Sequence, residues 1–367
     1  MKKLSDVFKS MNSKQKLILK VVLIFFVICI LLVVVIGIFK NRKLTYTQIE
    51  DKLISSAEKY YSEKEELLPK SEGGSVTIDS LTLIENKYLK ELTKYNKNAD
   101  SCSATVRVVN NNGNYLYLPS LKCSDYSTTT LYDEILKNET IVEEGTGLYL
   151  MNDEYVYRGE YPNNYVKFAD KTWRILSINN DKEIRLIQVD SFQDTPWDNR
   201  YNVNSNYSSG ITKYEISRIK DKLNTLYESA FDARSKSLIS SKQLCIGSRN
   251  RKETDNSGKV ECSKLTEDYY PVGMIQVNEF IRVSIDSNCK FQTNSSCTNY
   301  NYLTKLESDF WTITPSVDND YEVYYVGGVI VTGIASDFVP VRLTLNLTDG
   351  IRYESGNGTV DNPYIVS

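Results

Sequence analysis

The spacing of hydrophobic and polar positions changes several times along this chain, and each change marks an element. The run Val21 to Phe39, VVLIFFVICILLVVVIGIF, has no polar position in nineteen residues. At 1.5 Å per residue it makes roughly 28 Å of helix, close to the ~30 Å hydrocarbon core of a bilayer, and it predicts a transmembrane helix. From Thr45 to about Leu68 the period becomes helical, with Ile49, Leu53, Ile54, Ala57, Tyr60 and Tyr61 on one face. Thr45 with Gln48 and Thr47 with Glu50 both fit a capping box, and Pro69 with Gly73-Gly74 ends the helix. A second short helix is predicted over Ser80 to Leu92. The period then falls to two. Asn112-Gly113 is a favoured pair for a two-residue type I′ hairpin turn. A hairpin closed there opposes Cys102 to Cys123 as a non-hydrogen-bonded pair, whose Cα atoms lie ~4.5 Å apart, within disulfide reach. Its apolar face carries Ala104, Val106 and Val108 against Leu121, Pro119 and Tyr117, and Pro119 places the second strand at an edge or a bulge.

Thr128 to Gly147 reads as a linker with a brief helix over Leu131–Leu136. Short strands follow at Leu148–Leu150, Tyr155–Arg158, Val166–Phe168, Thr172–Ile178 and Ile184–Val189, separated by turn residues. Thr212 with Glu215 forms a further capping box, followed by the amphipathic set Ile216, Ile219, Leu223, Leu226 and Tyr227. Gly273 to Val283 predicts a buried strand and a short helix. Toward the end, Phe310–Pro315, Tyr321–Val326 and Val329–Thr332 are strands, the last two joined through Gly327-Gly328. Val341, Leu343, Leu345 and Leu347 alternate with Arg342, Thr344 and Asn346, which predicts a half-buried strand.

Charge divides the chain. The first 43 residues carry nine Lys or Arg and one acid, Asp6, leaving 35 basic against 46 acidic residues beyond. Six lysines precede the apolar run and three basic residues follow it at once, which predicts a cytoplasmic tail over 1–20 and an outside portion from about residue 40. An acidic exterior argues against nucleic acid as a partner. Of the seven cysteines, Cys29 lies in the apolar run; an even six outside it read as disulfides, with Cys102–Cys123, Cys245–Cys262 and Cys289–Cys297 as the preferred connectivity. Histidine is absent, which removes Ser-His-Asp and Cys-His catalysis and His-ligated zinc. No cofactor, metal site or catalytic residue is predicted.

Residues 40–127, a helix–helix–hairpin with a cysteine-closed tail, resemble the membrane-proximal modules of pilin-like surface proteins of low-GC bacteria. They lack the prepilin processing site and the glutamate that follows it. The stretches YRGEYPNNYVKF (157–168), KTWRIL (171–176), WDN (197–199), FWTITPS (310–316), VPVRLTLNL (339–347) and SGNGTVDNPY (355–364) resemble an uncharacterised family of bacterial surface domains. Such domains are similar to the C-type-lectin-like and formylglycine-generating-enzyme-like folds, which implies mixed short strands, long loops and paired N- and C-terminal strands. The calcium signatures of the lectins are not matched. The implied fold class is α+β: an N-terminal transmembrane helix, the 40–127 module, a 128–147 linker and a larger C-type-lectin-like domain over 148–367.

Four residues stand out as candidate ligand contacts. Trp197 and Asp198 lie in the polar stretch DTPWDNRY, whereas Trp173 and Trp311 sit among apolar residues and read as core. Asp318 and Asp320 alternate with Glu322 in SVDNDYE, without the glycine and distal glutamate of an EF-hand. The 27 tyrosines all follow residue 45, and tyrosine suits polar recognition surfaces. The expected function is a membrane-anchored, surface-displayed binding or adhesion protein whose ligand is a glycan, a wall polymer or a protein, with the bilayer as a partner through Val21–Phe39. The alternatives are a pilus-like or envelope assembly subunit, and a carboxylate-based hydrolase.

Overall fold

The computed structural model describes residues 12–14, 17, 20–22, 24–28, 43–71, 73–111 and 113–367. Among them no helix is long and apolar enough to cross a membrane, and this corrects the expected N-terminal transmembrane helix. Of Val21–Phe39, residues 21, 22 and 24–28 are described and helical. The rest of that run, and most of the 1–20 tail, lie outside the described residues.

The first unit begins with α1 (Tyr46–Ser62), whose cap is the Thr45/Gln48 box: Gln48 N–H donates to Thr45 Oγ1 at 3.2 Å and Thr45 N–H to Gln48 Oε1 at 3.0 Å. The second helix is shorter than its pattern suggests: α2 (Ser80–Glu85), followed by the single turn α3 (Leu92–Tyr95). A strand that periodicity did not mark, β1 (Ser75–Asp79), lies beside the hairpin of β2 (Ser103–Asn111) and β3 (Asn114–Lys122). The hairpin register runs from Ser103 opposite Lys122 to Asn111 opposite Asn114. Asn112 lies outside the described residues; Gly113 has the positive φ, 80°, that the turn demands. β3 is the sheet edge, which accommodates Pro119. Cys102 and Cys123 are bonded, with Cα atoms 4.1 Å apart. One face of the sheet, Ala104, Val106, Val108 and Leu121, packs on Ile49, Leu53, Ala57 and Tyr61 of α1.

The other face of β3 is buried too. Leu116 and Leu118 enter the core of the second unit together with Leu131 and Ile135 of α4 (Leu131–Asn138). The 128–147 segment is therefore not a free linker. Leu131 N–H donates to Ile351 O and Tyr353 N–H to Thr129 O, both at 2.9 Å, so the segment is stitched to the end of the chain. Arg352, only 2% exposed, reaches from the second unit to Glu50 Oε2 (2.9 Å), Asp51 Oδ1 (2.8 Å) and the Thr47 carbonyl (3.1 Å) on α1. Gly350 fits under Leu118, where a Cβ would come within 2.5 Å of its methyl carbon.

The second unit is a mixed α+β body dominated by strands. β4 (Gly147–Met151), β5 (Glu154–Arg158), β6 (Tyr165–Phe168), β7 (Lys171–Ile178) and β8 (Ile184–Gln188) lie close to the predicted short strands. After β9 (Phe192–Pro196) come α5 (Arg218–Ala230), α6 (Ala233–Ser237), β10 (Ile239–Ser240), β11 (Val272–Gly273) and α7 (Val277–Val283). The predicted Thr212/Glu215 box does not start α5; Ser217 does, its Oγ accepting from Lys220 N–H. Then follow β12 (Phe310–Pro315), β13 (Glu322–Gly327), β14 (Val329–Ile334), β15 (Phe338–Val341), β16 (Thr344–Leu347), β17 (Tyr353–Ser355) and β18 (Tyr364–Val366).

The main sheet runs β10-β16-β8-β7-β6-β18-β17, with β11 also on β16 and the β4–β5 hairpin attached to β7. The C-terminal strand β18 pairs parallel with β6, not with the first strand β4, so the expected pairing of terminal strands is not the one formed. β12-β13-β14 form a second sheet, and β15 pairs with β9. The β16 segment is covered on both sides rather than half-exposed: Arg342 is 1% and Thr344 0% exposed. The Arg342 guanidinium donates to the Val189 and Glu307 carbonyls and lies over the Phe310 ring. Burial lowers its pKa to about 10, against the opposing pull of the Asp190 and Glu307 carboxylates. Trp173 and Trp311 are fully buried.

Candidate functional site: a pinned tyrosine loop

Between β9 and α5 the chain makes a loop whose residues are mostly polar: Asn199, Asn202, Asn204, Ser205, Asn206, Ser208 and Ser209. A segment of this composition has no hydrophobic reason to hold one shape. Here it is held by polar anchors, most of them buried, and three of the four candidate residues take part.

Trp197 is not a surface contact. It is fully buried and donates from Nε1 to the Thr312 carbonyl of β12 at 3.2 Å, which fastens the start of the loop to the second sheet. Its ring stands edge-on to Tyr214. Asp198 is also fully buried. Its carboxylate accepts from Arg200 N–H (3.0 Å), from Arg200 Nη2 (2.6 Å) and from Arg218 N–H at the start of α5 (3.1 Å). Burial alone would raise its pKa. The Arg200 guanidinium and the two backbone donors outweigh that effect and hold the carboxyl below its ordinary value. Asp198 N–H in turn donates to Ala335 O at 2.8 Å.

Asp320 closes the loop from the other side. Its carboxylate accepts from Asn202 Nδ2 at 3.3 Å and from Asn204 Nδ2, and its carbonyl accepts from Thr212 N–H at 3.0 Å. Asn202, 3% exposed, also donates to Gly210 O at 2.7 Å, and its backbone pairs with Tyr207. Gly210 has φ +80°, and a Cβ there would lie 2.1 Å from Asp198 O, so glycine is required at the point where the loop returns over its own start. Asp318 does not join this set. It faces away and binds Arg251 Nε at 3.1 Å, while Glu322 binds Arg251 Nη2 at 3.0 Å. The alternating acids of SVDNDYE are thus divided between two jobs. No group of three or more His, Cys, Asp or Glu able to hold a metal occurs among the described residues.

What the anchors display was not identified from the sequence. Tyr201 is 60%, Val203 78% and Tyr207 75% exposed. Phe338, opposite Pro196 in the strand pair from which the loop departs, is 69% exposed. Tyr201 OH donates to Asn206 Oδ1 at 2.6 Å, which steadies that ring without burying it. Large side chains left in water on a backbone this tightly held are the pattern of a preorganised contact surface. The available signal was Tyr201, Val203 and Tyr207 at odd positions through an Asn/Ser tract, which composition alone made look like solvent-exposed filler.

The other two disulfides, Cys245–Cys262 and Cys289–Cys297, close local loops elsewhere on the second unit. Three disulfides fit an extracellular or secreted protein. Compared with known proteins, the chain matches no family model, no curated protein and no solved structure.

Proposed function

We propose that this is an extracellular binding protein that recognises a saccharide, whether a glycan or a wall polymer, through the loop over 199–210. The observation that carries the reading is the exposure of Tyr201, Val203 and Tyr207 on a backbone fixed by buried Asp198 and Asn202 and by Asp320. Tyrosine offers a flat apolar face and a hydroxyl at small entropic cost, and asparagine and serine supply adaptable hydrogen bonds. Both are concentrated here. Fixing the loop before binding removes much of the ordering cost that would otherwise weaken association. The resemblance of its sequence to C-type-lectin-like surface domains likewise points to recognition through loops.

The test is an array of immobilised glycans and cell-wall polymers probed with the folded protein and with Tyr201→Ala/Tyr207→Ala. Saccharide binding that falls by about tenfold or more in the double variant, at unchanged melting temperature, supports the proposal. Absence of any saccharide binding, or equal binding by both proteins, refutes it.

A further inference from the structure

A second site lies in the same unit and shares no residue with the tyrosine loop. The loops closed by Cys245–Cys262 and Cys289–Cys297 are joined by Asn256 Nδ2, which donates to Lys290 O at 3.4 Å. Where they meet, beside the C-terminal end of α7, is a cavity of about 390 Å³, a volume within the range of small-ligand sites. Asn256 and Ser257 line it from the first loop, Ser287 and Cys289 from the start of the second, and Arg158 from the end of β5. Both loops are stapled, so the walls are fixed before anything binds.

Arg158 is half-buried, and only one edge of its guanidinium is used. Nε donates to Arg282 O at 2.7 Å and Nη2 to Ser284 O at 2.6 Å, which satisfies carbonyls at the end of α7. The Tyr149 ring covers the group from 4.7 Å. Of the five N–H donors on the fork, two are spent. Nη1 bonds to nothing among the described residues and stays open to solvent. Burial lowers the pKa of this guanidinium, and the one group opposing that is the Tyr149 hydroxyl, not a carboxylate. The other sheltered arginines are committed. Arg185, Arg249, Arg282 and Arg352 each grip a glutamate. Arg174 is 2% exposed and gives Nε, Nη1 and Nη2 to Asn164, Tyr165 and Pro162. The one acid lining the cavity, Asp286, is likewise occupied, accepting from Asn288 N–H at 2.8 Å and Asn299 Nδ2 at 2.7 Å.

The geometry points to this cavity as a binding site for a small monocarboxylate, gripped by the free Nη1–Nη2 end of Arg158. A planar carboxylate matches that end with two parallel hydrogen bonds. A phosphate dianion is disfavoured, because Asp286 and the carbonyl end of α7 face it with negative charge. Two sources supply a monocarboxylate of this size, a free hydroxy acid and a uronic acid residue.

Titration calorimetry on the folded protein at pH 8 with L-lactate, D-glucuronate, inorganic phosphate and D-glucose tests the assignment. Lactate or glucuronate is expected to bind, with phosphate and glucose weaker by about tenfold or more, and the stronger of the two acids identifies the source. Arg158→Lys keeps the charge, loses the planar fork and lowers the affinity by about tenfold or more. Ser287→Glu, at an exposed position in the wall, leaves the bonds from Arg158 to α7 in place and adds a like charge. It lowers the affinity to a similar degree at unchanged melting temperature, which separates ligand binding from the capping of α7. No heat with either lactate or glucuronate overturns the inference, as does phosphate or glucose binding equally well, or an unchanged affinity in Ser287→Glu.

Discussion

Replacing Arg352 by methionine tests how firmly the two units are joined. The guanidinium is 2% exposed and holds Glu50, which is fully buried, at 2.9 Å, with Asp51 at 2.8 Å, Glu354 at 3.0 Å and Ser367 Oγ at 2.6 Å. Methionine keeps most of the packing volume and removes the charge. Glu50 is then left buried with only the hydroxyls of Tyr126 and Thr128 as donors. Breaking one side of a buried pair costs about 3–5 kcal/mol, and at about 2–3 °C per kcal/mol for a chain of this size the melting temperature falls by roughly 6–15 °C. The loss depends on pH. Burial pushes the Glu50 carboxyl above its ordinary value, against the opposing pull of Thr128 and Arg352. An acid whose folded pKa is raised binds more protons folded than unfolded, so its contribution to stability declines as pH rises from its unfolded value through its folded value. Removing Arg352 raises the folded pKa further and steepens that decline. The variant is therefore most destabilised at pH 7–8 and least near pH 4.5. Glu50→Met together with Arg352→Met removes both charges and recovers most of the stability. Thermal melts of the three variants at the two pH values are the assay. A single variant melting within 2 °C of the parent at pH 7, or a loss that does not shrink at pH 4.5, refutes the reasoning.

Three further outcomes follow from the same geometry. Cys102→Ser/Cys123→Ser opens a loop of 21 residues' separation and lowers unfolding free energy by roughly 3 kcal/mol in denaturant titration. Gly210→Ala forces a Cβ against Asp198 O at a positive φ, so the loop shifts and saccharide affinity drops by about tenfold or more, while far-ultraviolet circular dichroism is unchanged. Asp198 has a lowered folded pKa, so its stabilisation is fully present above the ordinary carboxyl range and is lost only as pH falls through the folded value. The loop should keep its slow amide exchange from pH 7 down to about pH 4, and Asp198→Asn should lose that protection already at pH 7.

The hairpin and the strands over 147–188 were legible because their determinants are local. Asn112-Gly113 selects the turn, and the turn opposes Cys102 to Cys123. Short runs of strand-forming residues between turn residues mark β4 to β8. What was missed depends on partners far away in the chain. The 128–147 segment looked like a linker because its small apolar stripe, Leu131 and Ile135, is matched by Leu116, Leu118 and Ile351. β1 contributes one buried residue, Ile78, and forms because β2 offers it an edge. Arg342 broke the expected polar face because two distant carbonyls satisfy it inside. Trp197 looked accessible among polar neighbours, but its partner is a carbonyl 115 residues on. The apolar run at 21–39 predicted a spanning helix from hydropathy alone, and the described residues contain none.

The most direct test of the loop's role is the dissociation constant of the strongest array saccharide for the folded protein and for Tyr201→Ala/Tyr207→Ala, measured side by side. Truncating two exposed rings on a preorganised loop should weaken binding by about 1.4 kcal/mol or more, a factor of about ten, with the melting temperature unchanged because neither ring is buried. Equal dissociation constants would show that the tyrosines are bystanders and that recognition lies elsewhere on the molecule.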